Sequence, residues 1–315
     1  MYGRTVMWIV FAFLSAALLG FYDVFKKKSL NGNDVMTVLL LNCLFSSVIF
    51  LPVASGCLDD IVPKAPFGGW AVQRWIVLKA FIVLSSWICG YYAMKHLPIT
   101  LVGPVNATRP VLVLLGALLL FGERLNAWQW AGVVVAMTGF YMLKVGGKKE
   151  GIDFMHNRWI LCLVAAALLG ALSGLYDKYL LSPSAEGGLE LDRLTVQTYF
   201  NFYQLAIMAA LVVCSHVMKV CTPRESVCFG SGSTFRWRWW IPLISIFICL
   251  ADIAYFYSLS LDGSMISVVS MVRRSSVVVS FMVGAFLFHE KQLFAKAVDL
   301  AVVVLSMILL YLGTK

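Results

Sequence analysis

The sequence predicts an all-α integral membrane protein of ten transmembrane helices, arranged as two inverted five-helix repeats. Three observations carry that prediction. Of 315 residues, 61% are hydrophobic and 13% charged, which leaves too little polar surface to cover a water-soluble globule. The apolar runs approach the roughly 20 residues that a helix needs to cross a hydrocarbon core of about 30 Å, and they lack the short-period alternation of a membrane barrel. The chain also repeats itself. Ala16 to Asp23, "AALLGFYD", recurs as Gly170 to Asp177, "GALSGLYD", and Leu118 to Arg124, "LLLFGER", recurs as Ala285 to Lys291, "AFLFHEK". Two matches in register mark a duplicated unit, and a unit of five spans is odd, so its copies insert with opposite orientation.

Charged and Gly/Pro-rich punctuation places the spans near residues 5–25, 35–54, 75–95, 99–121, 127–145, 158–180, 194–218, 239–260, 264–288 and 295–313. The first run, "MYGRTVMWIVFAFLSAALLGFYDVF", has no clear small-residue cleavage site and outruns a signal-peptide core, so it counts as a span. Span four ends at Gly122-Glu123, and span five opens on "WQWAGVVVAMTG". The polar connector between spans five and six divides the chain into a first repeat at 1–146, a connecting loop at 147–157 and a second repeat at 158–315. Span six restarts the pattern, and span seven opens on the polar and aromatic stretch "TVQTYFNFYQ". Span nine carries Arg273 and Arg274 in its middle, and span ten is "AKAVDLAVVVLSMILLYL". Loops after odd-numbered spans hold most of the loop Lys and Arg, Lys26, Lys27 and Lys28 among them, which by itself places both termini outside.

Composition also excludes. A net charge of +9 is spread over short loops as a topology signal, so nucleic acid is not an expected partner. The four histidines stand apart from one another and from paired cysteines, so neither a metal nor a cofactor is expected. Cys43, Cys89, Cys162, Cys214 and Cys249 lie inside spans as small hydrophobes. Cys221 and Cys228 bracket "CTPRESVC", a disulfide only in an oxidising compartment. No nucleophile–base pair or nucleotide loop is visible, so no enzyme activity is expected. Tryptophans at span ends, such as Trp128, Trp130, Trp159 and Trp237, read as the interfacial belt.

The stretch "YYAMKHLPITLVGPVNATRPVLVLLGALLLFGERLNAWQWAGVVVAMTGFYML" resembles the drug/metabolite transporter superfamily, and in particular its EamA-like family, through Pro110, Gly122-Glu123, Gly132 and Gly139. The resemblance implies the ten-helix inverted repeat, a secondary transporter, and a location in the bacterial cell inner membrane. It also implies both termini in the cytoplasm, against the charge count. This sequence departs from the pattern at His289, which stands where the first copy has Gly122, and at Arg109, which precedes Pro110.

An arginine at the centre of a span costs about 2.5–3.5 kcal/mol on insertion scales. Arg109, Arg273 and Arg274 must therefore be compensated. One reading pairs them with the buried acids Asp23, Asp177, Asp252 and Asp299. The other makes them an anion clamp, because a guanidinium fork matches carboxylate and phosphate and keeps its charge. The resemblance adds that sugar-phosphate translocators of this superfamily hold phosphate with a basic residue on the fourth span and a basic pair on the ninth, a pattern met here in shifted register. Asn106, three residues before Arg109, and Tyr199, Tyr203 and Gln204 of span seven are further candidate substrate ligands, with interhelical bonding as the plain alternative. Asp23 and Asp177, at equivalent places in the two repeats, are either helix-packing neighbours or coupling carboxylates. The expected function is transport of a small organic metabolite, anionic and in one version phosphorylated, by exchange or proton coupling. The alternatives are an amino-acid or drug exporter with structural arginines, and a non-transporting membrane protein. The expected partners are a small-molecule substrate and the lipid bilayer.

Overall fold

The structure, a computed structural model, describes residues 2–57, 65–109, 111–112, 115, 126–149, 157–181, 188–221, 234–260, 272–288 and 293–313. Among them are ten helices: α1 (Tyr2–Leu30), α2 (Val35–Ser55), α3 (Gly69–His96), α4 (Ile99–Ala107), α5 (Ala127–Lys149), α6 (Arg158–Leu181), α7 (Arg193–Cys221), α8 (Trp240–Ser260), α9 (Ser276–Phe288) and α10 (Leu293–Leu312). By length and composition, α1, α2, α3, α6 and α7 contain stretches able to cross a membrane. The outward faces are apolar, with Phe286 81% and Phe294 85% exposed, as lipid contact requires and water would not tolerate over so large an area. Glu123, His289, Glu290 and Cys228, all of which carried sequence expectations, lie outside the described residues.

Local sequence sets the helix ends. Asp34 caps α2 by accepting from the Thr37 N–H at 2.9 Å, and Asp192 caps α7 by accepting from the Thr195 N–H at 2.8 Å. Each occupies one of the four orphan donors of a helix start. Gly56 stops α2 at φ +80°, a left-handed conformation in which a Cβ would be strained. Asn126 and Gln129 cap α5 reciprocally, and the Asn126 amide donates to Gly313 O at 2.6 Å, tying the start of α5 to the end of α10.

The principal packing joins helices from different halves of the chain: α1 on α8, α5 on α10, α3 on α6, α2 on α7 and α1 on α9, followed by α2 on α8, α3 on α7 and α4 on α9. Exchanging each helix for the one five places along turns α1–α8 into α6–α3 and α2–α8 into α7–α3 and leaves α2–α7, α4–α9 and α5–α10 unchanged, whereas α1–α9 becomes the much slighter α6–α4 contact. The serine ties follow the same exchange. Ser86 of α3 donates to Ala166 O of α6 at 2.8 Å, and Ser258 of α8 donates to Trp8 O of α1 at 2.7 Å. Glycine permits the closest crossings. A Cβ on Gly20 would stand 2.6 Å from Val279 Cβ, and one on Gly284 would stand 2.5 Å from Ile99 Cγ2.

The fourth helix of each half is interrupted in the same way. The Thr108 N–H reaches back three residues to Val105 O at 3.2 Å while its hydroxyl donates to the same oxygen at 2.7 Å, and the Val111 N–H reaches Thr108 O at 3.0 Å. In the second half, the Ser275 N–H reaches Val272 O at 3.0 Å, its hydroxyl donates there at 2.6 Å, and the Val278 N–H reaches Ser275 O at 2.9 Å. Short i→i+3 bonds with a back-bonded hydroxyl tighten and bend a helix. Val105, Thr108 and Val111 thus match Val272, Ser275 and Val278 one for one, in the register that also aligns Gly122-Glu123 with His289-Glu290.

Candidate functional site

Both interruptions open on one cavity of about 440 Å³. Asn106, Ala107 and Arg109 line it from beside Thr108; Arg273, Arg274 and Ser276 line it from beside Ser275. Adjacent side chains stand about 100° apart on a helix, and beside the Ser275 interruption both Arg273 and Arg274 line this one space. α1 supplies Leu19, Tyr22, Asp23 and Lys26, α3 supplies Ser86, Trp87 and Tyr91, and α6 supplies Asp177.

The three arginines have different surroundings. Arg273 donates to the Asp252 carboxylate of α8 and lies over the Tyr255 ring at 4.4 Å from its centroid; Gln197 of α7 holds the other Asp252 oxygen at 3.1 Å. Arg109 donates to Ala166 O at 3.3 Å, has its Nε buried without a hydrogen bond, and rests against Gly170, where a Cβ would stand 2.7 Å from Cζ. Arg274 lies within electrostatic reach of Arg109, Arg273 and Tyr255, and has neither a carboxylate nor a hydrogen-bond partner among the described residues.

Both sequence-predicted acids are on the cavity, and both are paired. Asp23 holds Lys26 at 2.7 Å, and Lys26 also lies 4.4 Å from the Tyr22 ring centroid. Asp177 stands 2.9 Å from Lys79 of α3, although its Oδ1 lacks an aligned hydrogen bond. The span-seven candidates are elsewhere. Tyr199 donates to Ala65 O at 3.3 Å, Tyr203 packs in the cluster of Ile76, Ala80 and Phe200, and Gln204 is buried; none lines the cavity.

Sequence reasoning passed over Lys79 and the aromatic wall of Tyr22, Trp87, Tyr91 and Tyr255, and read Lys26 with its two neighbours as a topology charge or, less strongly, an anion funnel at the mouth. Lys79 had a signal, being the single charge in "WIVLKAFIVL". Nothing in the sequence set Lys26 apart from Lys27 and Lys28, because three consecutive lysines look alike. In the fold they part company: Lys26 turns to the cavity, Lys27 donates to Met94 O and Leu97 O at 2.7 and 2.6 Å at the end of α3, and Lys28 covers the Trp240 ring at 3.9 Å.

Residues 6–145 match the EamA-like transporter family. An uncharacterized transporter of Pseudomonas aeruginosa is 32% identical over 134 residues, which is 40% of this chain and less than half, 43%, of that relative. An uncharacterized transporter of Archaeoglobus fulgidus is 22% identical over 310 residues, covering 96% of this chain and 98% of the relative. An uncharacterized transporter of Sinorhizobium is 27% identical over 139 residues, covering 44% of this chain and 96% of the relative. A solved crystal structure superposes over 99% of both chains with a TM-score of 0.56 at 15% identity, a likeness of fold alone.

Proposed function

We propose that this chain, whose residues 6–145 match the EamA-like transporter family, is a secondary transporter of a small organic anion, working by alternating access between inverted halves. The observation that carries the anion reading is Arg274. A guanidinium keeps its charge in any environment, and one that faces a cavity without a carboxylate is compensated when an anion arrives. Arg109, with its unsatisfied Nε, is the second ligand. Tyr22, Trp87 and Tyr91 supply an apolar wall for the carbon body, and Asn106 a polar contact.

The inverted repeat is supported by the larger part of the helix packing, which maps onto itself under helix exchange, by the matched interruptions at Thr108 and Ser275, and by the Asp-x-x-Thr caps that begin the second helix of each half. The Sinorhizobium relative is matched over nearly its whole length by 139 residues of this chain, a length close to that of one five-helix unit. Exchange is favoured over proton coupling, because Asp23 and Asp177 are each held by a lysine and neither is a free carboxylate. The bacterial inner membrane is the matching location.

A thermal-stability screen of the purified protein against anionic, zwitterionic and cationic metabolites tests the reading, since a bound ligand stabilises the native state by mass action. Stabilisation confined to anions is expected. Stabilisation by cations or neutral amino acids, with anions inert, would move the arginines to a structural role.

A further inference from the structure

Resting on the anion reading of this cavity, we propose that its ligand is a dianion: a small organic molecule carrying two negative charges, on one phosphoryl group or on two carboxylates. The inference comes from matching charges one by one. The described cavity wall holds four cations, Lys26, Arg109, Arg273 and Arg274, and two carboxylates, Asp23 and Asp177. Lys26 is neutralised by Asp23, Asp177 by Lys79 from behind the wall, and Arg273 by Asp252. Arg109 and Arg274 are left: neither forms an ion pair among the described residues, and Asp23, which lies within electrostatic reach of Arg109, is already paired with Lys26, so the described residues of the site hold two unmatched positive charges.

Neither charge can be shed by deprotonation, and alternating access requires the loaded cavity to close with little water. Uncompensated charge is most unfavourable in that closed, low-dielectric state. A zwitterion leaves both charges, a monoanion leaves one, and a dianion leaves none. The two guanidinium groups come from the two different interrupted helices, so one doubly charged ligand bridges the halves that must move. Arg109 is also seated for the purpose: its planar head occupies the groove that Gly170 leaves open on α6, and it retains an unused, buried Nε donor.

The test measures binding to the full-length protein at pH 8 with charge-matched pairs: glycerol 3-phosphate against its methyl diester, and succinate against its monomethyl ester. A phosphate monoester, whose second pKa is about 6, is a dianion at that pH. At least one dianion is expected to bind about tenfold or more tightly than its monoanionic ester, and that preference is expected to fall below about threefold in Arg274→Gln. Arg109→Gln serves equally if the first variant does not fold. Success with the phosphate pair alone identifies a phosphoryl site; success with the succinate pair alone identifies a dicarboxylate site. Monoanions binding as tightly as dianions overturn the dianion proposal and leave the anion reading standing. Failure of all four probes, when the broader screen finds only monoanionic ligands, overturns it too. Failure of every anion in that screen removes both.

Discussion

Replacing Gly170 with alanine should weaken ligand binding from behind the cavity wall. An added Cβ would stand 2.7 Å from Arg109 Cζ and 2.9 Å from Nε and Nη1, inside the optimal separation of about 3.5–4.0 Å for non-bonded carbon. Something must shift, and the group in the way is the end of a flexible side chain. The helix itself gains about 0.8–1.0 kcal/mol of propensity from Gly to Ala, which offsets the loss of the long Arg109 to Ala166 hydrogen bond, so the fold is expected to hold. The guanidinium, however, is displaced. A hydrogen bond to a charged group contributes about 1.5–3 kcal/mol, and losing one weakens binding about 10- to 150-fold. The assay is a ligand titration followed by thermal stability, with uptake into vesicles and melting temperature measured on the same preparation. Unchanged affinity in a folded Gly170→Ala protein would show that Arg109 is not a ligand. Loss of folding would show that Arg109 is pinned in place for structural reasons.

Two further outcomes follow from the packing. Gly20→Ala brings a Cβ to 2.6 Å from Val279 Cβ and Cγ1 and 3.0 Å from the Ser276 carbonyl; these atoms cannot swing away, so destabilisation of about 1–3 kcal/mol is expected from thermal melting, in contrast to Gly170→Ala. Arg273→Met strands Asp252 and should lower stability by about 3 kcal/mol, the low end for a buried pair because both side chains retain some exposure. The double variant Arg273→Met/Asp252→Leu should recover most of that loss, and a double variant no more stable than the single one would show that the pair is not what holds α8 to the arginine segment.

Much of this fold was legible because membrane burial simplifies the code: nearly every apolar run of sufficient length became a helix, and the repeats at Gly20-Asp23 and Gly174-Asp177 are the sequence basis for the proposed halves. The Thr108 and Ser275 interruptions were less visible. Their signal is a hydroxyl three residues after a valine, which is common in helices and becomes a bend only in context. Arg109, Arg273, Arg274 and Asn106, which line the cavity, stood out in the sequence because a polar group in an apolar run has few reasons to be there. The difference between Arg273 and Arg274 was not legible: adjacent residues point about 100° apart on a helix, and which of them meets Asp252 depends on where α8 crosses. Tyr199, Tyr203 and Gln204 looked equally eligible in sequence, yet α7 packs against α2 and α3 and keeps them off the cavity. Lys26 and Lys79 depended likewise on tertiary partners.

The central claim is that Arg274 is held for a ligand and not for the fold, and one comparison tests it most directly. Exchange of the anion found in the screen is measured in reconstituted vesicles for the wild type, Arg274→Ala and Arg274→Lys, with the melting temperature of each taken on the same protein. Arg274→Ala strands no carboxylate among the described residues, so its melting temperature should be equal to or above that of the wild type while exchange is lost. Arg274→Lys, which keeps the charge and loses the fork, should retain the fold and only a small part of the exchange. Full exchange by Arg274→Ala, or a protein that unfolds without the arginine, would contradict the claim.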